Sequence, residues 1–400
     1  MPDAVSVSVR KTDGCRLPPL GVGLWTDRLE PAATLVSQFE RLDPNHVDML
    51  VDLRQPENLD RLEETLSLCR RRALPVWLYA ITPDTQPGAA LKTLAHRLNS
   101  AAIELAGMLL TPAAYLASYQ PDGDWPTTIS PEELRALGRE IWPTMRLGGG
   151  FPTYFTELNR CRPDPVAIDF LTHATSPVVH AADDLSVMES LESLPHVFAS
   201  ARALAPDVPY HVTTSAIGAW TNPYGGTLTP NAESERVTLS DNDPRQRGLF
   251  AAAWSLGYMA QTIGRVDGLT LSAIGKPFPI ADATTRYPIF DVLRGMGAGA
   301  GRQALAGISD IDDLAALGWV RDDGRAELWL ANLTVHTRAV HIADSYRAAV
   351  LDENTDLACV APDDWPLDRL EPQGDTPLTL APYAVARVEL PYQSVDRHST

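Results

Sequence analysis

One feature constrains this chain more than any other: a short apolar run followed by a helical pattern, eight times over. The runs are LGVGLW (20–25), VDMLVDLR (47–54), PVWLYAI (75–81), IELAGMLL (103–110), MRLGGG (145–150), AIDFLTH (167–173), PYHVTTS (209–215) and DGLTLSA (267–273). Helical spacing marks ENLDRLEETLSLCRRR (57–72), GAALKTLAHRLNSA (88–101), PEELRALGREIW (131–142), DDLSVMESLESLPHVFASARAL (183–204) and DPRQRGLFAAAWSLGYMAQTIG (243–264). Eight alternations within about 280 residues match an α/β (β/α)8 TIM barrel in number and size. A doubly wound open sheet competes, but it wants a Gly-rich phosphate turn after its first strand, and GVGLWTDR is not GxGxxG.

The pattern changes after about residue 305, where period-2 alternation takes over. AELWLANLTV (326–335), RAVHIA (338–343), YRAAVLD (346–352) and YAVARVEL (383–390) are separated by turns such as APDDWP and EPQGDTP. They predict a small C-terminal antiparallel β domain packed on the barrel. The expected organisation is an N-terminal extension (1–17), a catalytic-type barrel (18–305), a β domain (306–392) and a tail (393–400).

Charge removes some functions. With 33 basic and 51 acidic residues the net charge is −18, which argues against nucleic acid and anionic membrane surfaces as partners. No stretch approaches the roughly 18 apolar residues of a membrane span, and MPDAVSVSVRKTDG has no signal-peptide core. Cys15, Cys69, Cys161 and Cys359 are too scattered for a zinc ribbon or a redox CxxC. The expectation is a cytoplasmic protein.

Barrels place chemistry at the carboxyl ends of their strands, so the strand ends supply the candidates. These are Trp25 and Asp27, Asp52 and Arg54, Tyr79, His173 and His180, Asp183 and Asp184, Thr214, Trp220, Asn222 and Tyr224, and Ser272 and Lys276. The fifth run ends in RLGGGFPTYFTELNRCRP (146–163). Its glycines, Gly149 and Gly150 among them, allow close backbone approach to a ligand or a positive φ. The loop beyond carries Tyr154, Glu157, Asn159 and Arg160, a carboxylate fit for general-base work beside a ring that can stack on a sugar.

Asp183 or Asp184 can instead cap a helix, and DPRQ at 243–246 reads as a helix start. Trp220 in GAWTNPYGG is a candidate lid or stacking residue, and the loop from Tyr224 to Asp243 has the length of a lid. His173, His180 and His211 with Asp183 form the only metal grouping the strand ends suggest. No HxH or HExxH tightens it, so neither metal nor cofactor is expected.

GGGFPTYFTELNRCRP, VVHAADDLSVMESLE, DPRQRGLFAAAWSLG and LWLANLT, in this order, resemble segments of the D-apionate lactonase family, from about residue 18 to about residue 340. The resemblance implies a glycoside-hydrolase-like barrel with an appended β domain, opening the lactone of a branched sugar acid. It places Glu157, Asn159, His180 and Asp183 in the active site, with Asn222 and Pro223 in a family segment. Three departures stand out. Ala273 occupies the place of a family glutamate after the eighth strand, and Gly218 and Trp220 occupy the places of two arginines. The family's β-rich region ahead of the barrel is reduced to VSVSVRKTDG, which suggests a separate β-rich partner chain.

Three functions remain open. Lactone hydrolysis needs one general base, Glu157 or His180, and one or two donors among Asn159, Asn222 and Lys276. Glycoside hydrolysis needs a second carboxylate beside Glu157, from Asp27, Asp52 or Asp183. A non-catalytic barrel binding a sugar or sugar acid is the third. The expected ligand in every case is a small carbohydrate or sugar acid.

Overall fold

The computed structural model describes residues 5–100, 104–118, 124–282, 285–309, 312–342, 345–355, 357, 364–373 and 376–391. Cys359 and the tail from 393 lie outside them. Strand β1 (Val5–Arg16) leads into β2 (Leu20–Trp25) and its helix α1 (Ala32–Leu42), and seven strand–helix units follow. These run β3 (His46–Asp52), α2 (Glu57–Arg71), β4 (Val76–Thr82), α3 (Pro87–Ser100), β5 (Gly107–Pro112) and α4 (Pro131–Ile141). Then come β6 (Gly148–Tyr154), α5 (Phe155–Arg160), β7 (Phe170–Ala174), α6 (Asp184–Leu204), β8 (Tyr210–Ser215), α7 (Leu249–Thr262), β9 (Gly268–Ala273) and α8 (Pro288–Gly297).

Strands β2 to β9 form one parallel sheet in the order β5-β4-β3-β2-β9-β8-β7-β6. It closes through a bridge between Met108 and Leu147, so the fold is the expected TIM barrel. Both faces of these strands are covered, which is why they read as apolar runs and not as alternating ones. The helices are held by local signals. At α4, Ser130 and Glu133 form a reciprocal capping box ahead of Pro131.

The remaining strands are β10 (Gln303–Ser309), β11 (Leu314–Val320), β12 (Arg325–Asn332), β13 (Arg338–Ile342), β14 (Tyr346–Leu351), β15 (Glu371–Gln373), β16 (Leu378–Leu380) and β17 (Val385–Pro391). With β1 they make a sheet in the order β15-β14-β17-β12-β11-β10-β1-β13-β16. It is antiparallel except where β1 meets β13.

The segment expected as an N-terminal extension is thus a strand of this second sheet. Residues 303–305, assigned to the barrel from the sequence, open β10. The reason is non-local pairing: Val7 lies opposite Ser309, a partner no local pattern announces. The sheet docks on the barrel through α7, α8 and a stack of Trp319, Trp329 and Trp365. Gly295 on α8 makes room there, since a Cβ on it would lie 2.2 Å from the Trp329 ring.

Candidate active site

The axial mouth of the barrel is filled. Trp25 at the end of β2 meets Trp220 edge-on at 6.2 Å and Phe278 at 5.6 Å. Leu50, Tyr79, Leu109 and Ala273 complete this apolar layer. The Trp220 indole donates to the Pro152 carbonyl at 3.1 Å. Gly218 sits under Phe278, 2.9 Å from where its Cβ would be. The three residues that depart from the family pattern in the sequence, Gly218, Trp220 and Ala273, therefore meet here: rings and small residues occupy the axis where the resemblance implies charges. About 10 Å³ of space remains between Trp25, Asp48, Tyr79 and Trp220, too little for a sugar.

An open cavity of about 340 Å³ lies off the axis on the same carboxyl-end face. It is walled by Ser118 after β5, Tyr154, Glu157 and Arg160 from the β6–α5 corner, His180 after β7 and Tyr224 after β8, and it extends down beside Ser190, Leu194 and Val197 of α6 and Trp254 of α7. This size falls in the range of small-molecule sites. Among the described residues lining it, Glu157 is the one carboxylate.

Local structure fixes Glu157 there. It is the third residue of α5, and its Oε2 accepts the Tyr154 amide at 2.9 Å, which aims it back toward the strand end. Only 3% of it is exposed. Burial pushes its carboxyl above the ordinary 4.5, outweighing the Tyr154 amide, the Ser118 hydroxyl and the nearby Arg160 guanidinium, which pull the other way. Arg160 in turn donates to the Ser118 hydroxyl. Burial also lifts the Tyr154 phenol well above its usual range, so it stays a neutral donor to the Thr221 carbonyl at 3.1 Å.

The other sequence candidates divide. His180 stands exposed at the rim, with the Tyr224 hydroxyl 3.4 Å from its ring nitrogens. Asn222 shapes the loop beside it, accepting the Tyr224 amide at 2.9 Å and donating to the Thr227 carbonyl at 3.0 Å. Asn159 faces away, on the exposed side of α5, bonded to Arg162 at 2.8 Å. Asp52 and Arg54 grip each other in a two-pronged pair at 2.6 and 2.9 Å, away from the cavity. Lys276 is exposed on the β9 loop, beyond the cavity wall.

Gly149 and Gly150 spend their lack of side chain on the protein. A Cβ at 149 would meet Ile168 at 2.6 Å, and one at 150 the Thr172 carbonyl at 2.0 Å. Close approach is indeed their role, but to the segment ahead of β7 and to β7 itself. The loop from Tyr224 to Asp243 is laced down by backbone bonds from Thr229 to Leu239, Leu239 to Val178 and Ala219 to Ser240. Asp243 caps the turn after it, as the DPRQ signal predicts.

Asp183 is the N-cap of α6, accepting the Ser186 amide at 2.9 Å. That amide and the Ser186 hydroxyl hold its carboxyl below the usual range. Asp183→Ala is expected to lower the melting temperature, and Asp183→Asn, which can still cap, to restore it. Thermal unfolding followed by circular dichroism distinguishes the two; equal loss in both variants would contradict the capping role.

The histidines do not gather as the sequence suggested. His173 is buried, donating from Nδ1 to the Ala174 carbonyl and accepting the Tyr210 hydroxyl on Nε2 at 2.5 Å. Burial keeps it neutral, down to about 4. His211 instead points into the barrel lumen, where it meets His46 and Asp48. These two were missed, although HVD on a strand puts its first and third residues on one face. Ser118 was missed because no strand-end pattern singles it out.

The family comparisons agree with this architecture. Residues 20–301 match the D-apionate lactonase TIM barrel domain, and residues 312–388 match the C-terminal immunoglobulin-like domain of the same family. The D-apionate lactonase of Brucella anthropi is 31% identical over 351 residues, 85% of this chain. The chain spans 57% of the length of that relative. Solved glycoside hydrolases share the fold at low identity. A GH51 arabinofuranosidase from Xanthomonas axonopodis pv. citri superposes at a TM-score of 0.60 with 10% identity, covering 97% of this chain and 99% of its own. A GH30 endoxylanase from Clostridium papyrosolvens C71 gives 0.59 and 10%, covering 97% and 100%. No helix among the described residues is long and apolar enough to cross a membrane. With family models matched across both its barrel and its β domain, this chain belongs to the D-apionate lactonase family.

Proposed function

We propose that this chain is a hydrolase that opens the lactone of a sugar acid, with Glu157 as the general base. The observation that carries the reading is a single buried carboxylate of raised pKa in a ligand-sized cavity on the carboxyl-end face. Kinship with the Brucella lactonase supports the substrate class. In this mechanism Glu157 takes a proton from water as the water oxygen attacks the lactone carbonyl. The Arg160 guanidinium and the Ser118 hydroxyl stand beside the carboxylate to stabilise the oxyanion. Collapse breaks the ring C–O bond, the departing oxygen takes the proton back from Glu157, and the hydroxy acid ionises.

Glycoside hydrolysis fits less well. It calls for a second carboxylate about 5–9.5 Å from the first, and the described cavity wall offers none beside Glu157.

The test is proton release at neutral pH from aldonolactones and apionolactone, against the spontaneous rate. Release above that rate supports lactone hydrolysis. Binding of the sugar acid without release points to a non-catalytic barrel. The pH profile is a further prediction. A base works only when ionised, so kcat/KM falls as the pH drops through its pKa. Because Glu157 is shifted upward, the acid limb should lie above the 4.5 of an ordinary glutamate. Following lactone loss by NMR between about pH 4 and 7 locates it; a limb below 4.5 would point to another base.

A further inference from the structure

The lumen of the barrel holds a polar cluster that the lactonase reading does not use. His46 and Asp48 lie two apart on β3, so both side chains enter the lumen, and His211 enters from β8. His211 Nε2 is 3.1 Å from both Asp48 carboxylate oxygens, and His46 Nε2 is 3.7 Å from one of them. One donor atom from each of the three falls within 4.8 Å of the others. All three residues are buried.

The surroundings are built around this cluster. Each of the three is paired in register with a glycine: His46 with Gly21, Asp48 with Gly23 and His211 with Gly268. A Cβ on Gly21 would fall 2.3 Å from the His46 ring, and one on Gly268 would fall 2.4 Å from the His211 ring. Barrel interiors are ordinarily packed with branched apolar side chains; here the neighbouring strands give up side chains to admit two imidazoles. Trp77 stacks on His211 at 4.8 Å and fixes its plane. The hydroxyls of Thr213 and Thr270 reach Asp48 at 2.8 Å and His46 at 2.9 Å. The Tyr79 hydroxyl, on a residue 2% exposed, faces the same space, beside Asp48 and the hydroxyls of Thr172 and Thr213.

We propose that His46, Asp48 and His211 bind one divalent cation of the zinc, cobalt or nickel class in the barrel lumen. Two imidazoles and a carboxylate suit these borderline ions better than magnesium or calcium, which take oxygen shells. Ligands about 2.0–2.2 Å from a tetrahedral ion stand about 3.4 Å apart, and the 3.1 and 3.7 Å separations bracket that value. The fourth position falls to the Thr213 hydroxyl or to a water held by Tyr79. The ion's role is structural. It ties β3 to β8 across β2 and β9, and the Trp25–Trp220–Phe278 layer walls it off from the mouth.

The test needs no substrate. The full chain is unfolded with a chelator, refolded with or without Zn²⁺, desalted and assayed for metal by mass spectrometry. Wild type should retain about one ion per chain and melt higher with it. Asp48→Asn and the His46→Gln, His211→Gln double variant should lose at least about tenfold of the retained metal. His180→Gln, at the exposed rim, should retain it all. X-ray absorption on the cobalt-loaded wild type should show imidazole scattering, a readout that stands even if the variants fail to fold. Absence of stoichiometric metal in the refolded wild type overturns the proposal. So does metal that persists in the double variant, or an all-oxygen shell.

Discussion

Glu157→Gln is expected to lower lactone turnover by about 100- to 10,000-fold while leaving the melting temperature almost unmoved. The two halves of this result come from two jobs of one side chain. As the third residue of α5, Glu157 accepts the Tyr154 amide, and glutamine does that equally well. As the base it must accept a proton from water, which an amide oxygen does not do at neutral pH. The loss corresponds to about 2.7–5.5 kcal/mol of barrier and should fall on kcat more than on KM, because the cavity keeps its shape. Proton release with a pH indicator measures the rate, and thermal unfolding the fold. Undiminished turnover would remove Glu157 from the chemistry and turn attention to His180. A parallel fall in melting temperature would show that the carboxylate is needed for folding.

Gly150→Ala is expected to destabilise the chain by at least about 3 kcal/mol. Gly150 has φ near +104°, a backbone region that side chains rarely enter. Space is the second obstacle: the new methyl would lie 2.0 Å from the Thr172 carbonyl. That oxygen belongs to the adjacent strand β7, and it cannot step aside without breaking the register between Gly150 and Thr172. Gly225 provides the control. Its φ is also positive, at 78°, but the nearest atom to a Cβ there is 3.8 Å away. Gly225→Ala should cost only about 1 kcal/mol. Urea unfolding of both variants separates strain from collision; equal losses would mean that the carbonyl contact is relieved cheaply.

The barrel was legible because its strands are covered on both faces and so appear as uninterrupted apolar runs. LGVGLW coincides with β2 residue for residue, and PYHVTTS and DGLTLSA are each within one residue of β8 and β9. The second sheet was legible only in part. AELWLANLTV announced β12, but ALAGIS and LAALGWV, in β10 and β11, carry less alternation; neither was singled out as a strand, and the first residues of β10 were given to the barrel.

The site shows the same division. Position on a strand end brought Glu157 and Tyr154 to a cavity wall and His180 to its rim, but the same rule also nominated Asp52, Arg54 and Lys276, which stand elsewhere. Strand ends fix depth along the barrel axis, while the partner that engages each side chain is set by loops folding across one another. The triple glycine illustrates the limit. A sequence reveals that side chains are missing; only the neighbouring strand reveals what fills the space.

The placement of β1 between β10 and β13 has a consequence for assembly. During synthesis this strand leaves the ribosome ahead of the whole barrel, and its partner follows after a detour of about 300 residues. The barrel must therefore be completed while β1 waits with its edges open, a state prone to pairing with another copy. Once β10 and β13 arrive, the early strand is clasped from both sides and the barrel becomes an insertion within the sheet. No single cut in the chain can release either part intact, so limited proteolysis between β9 and β10 should leave two fragments that still travel together.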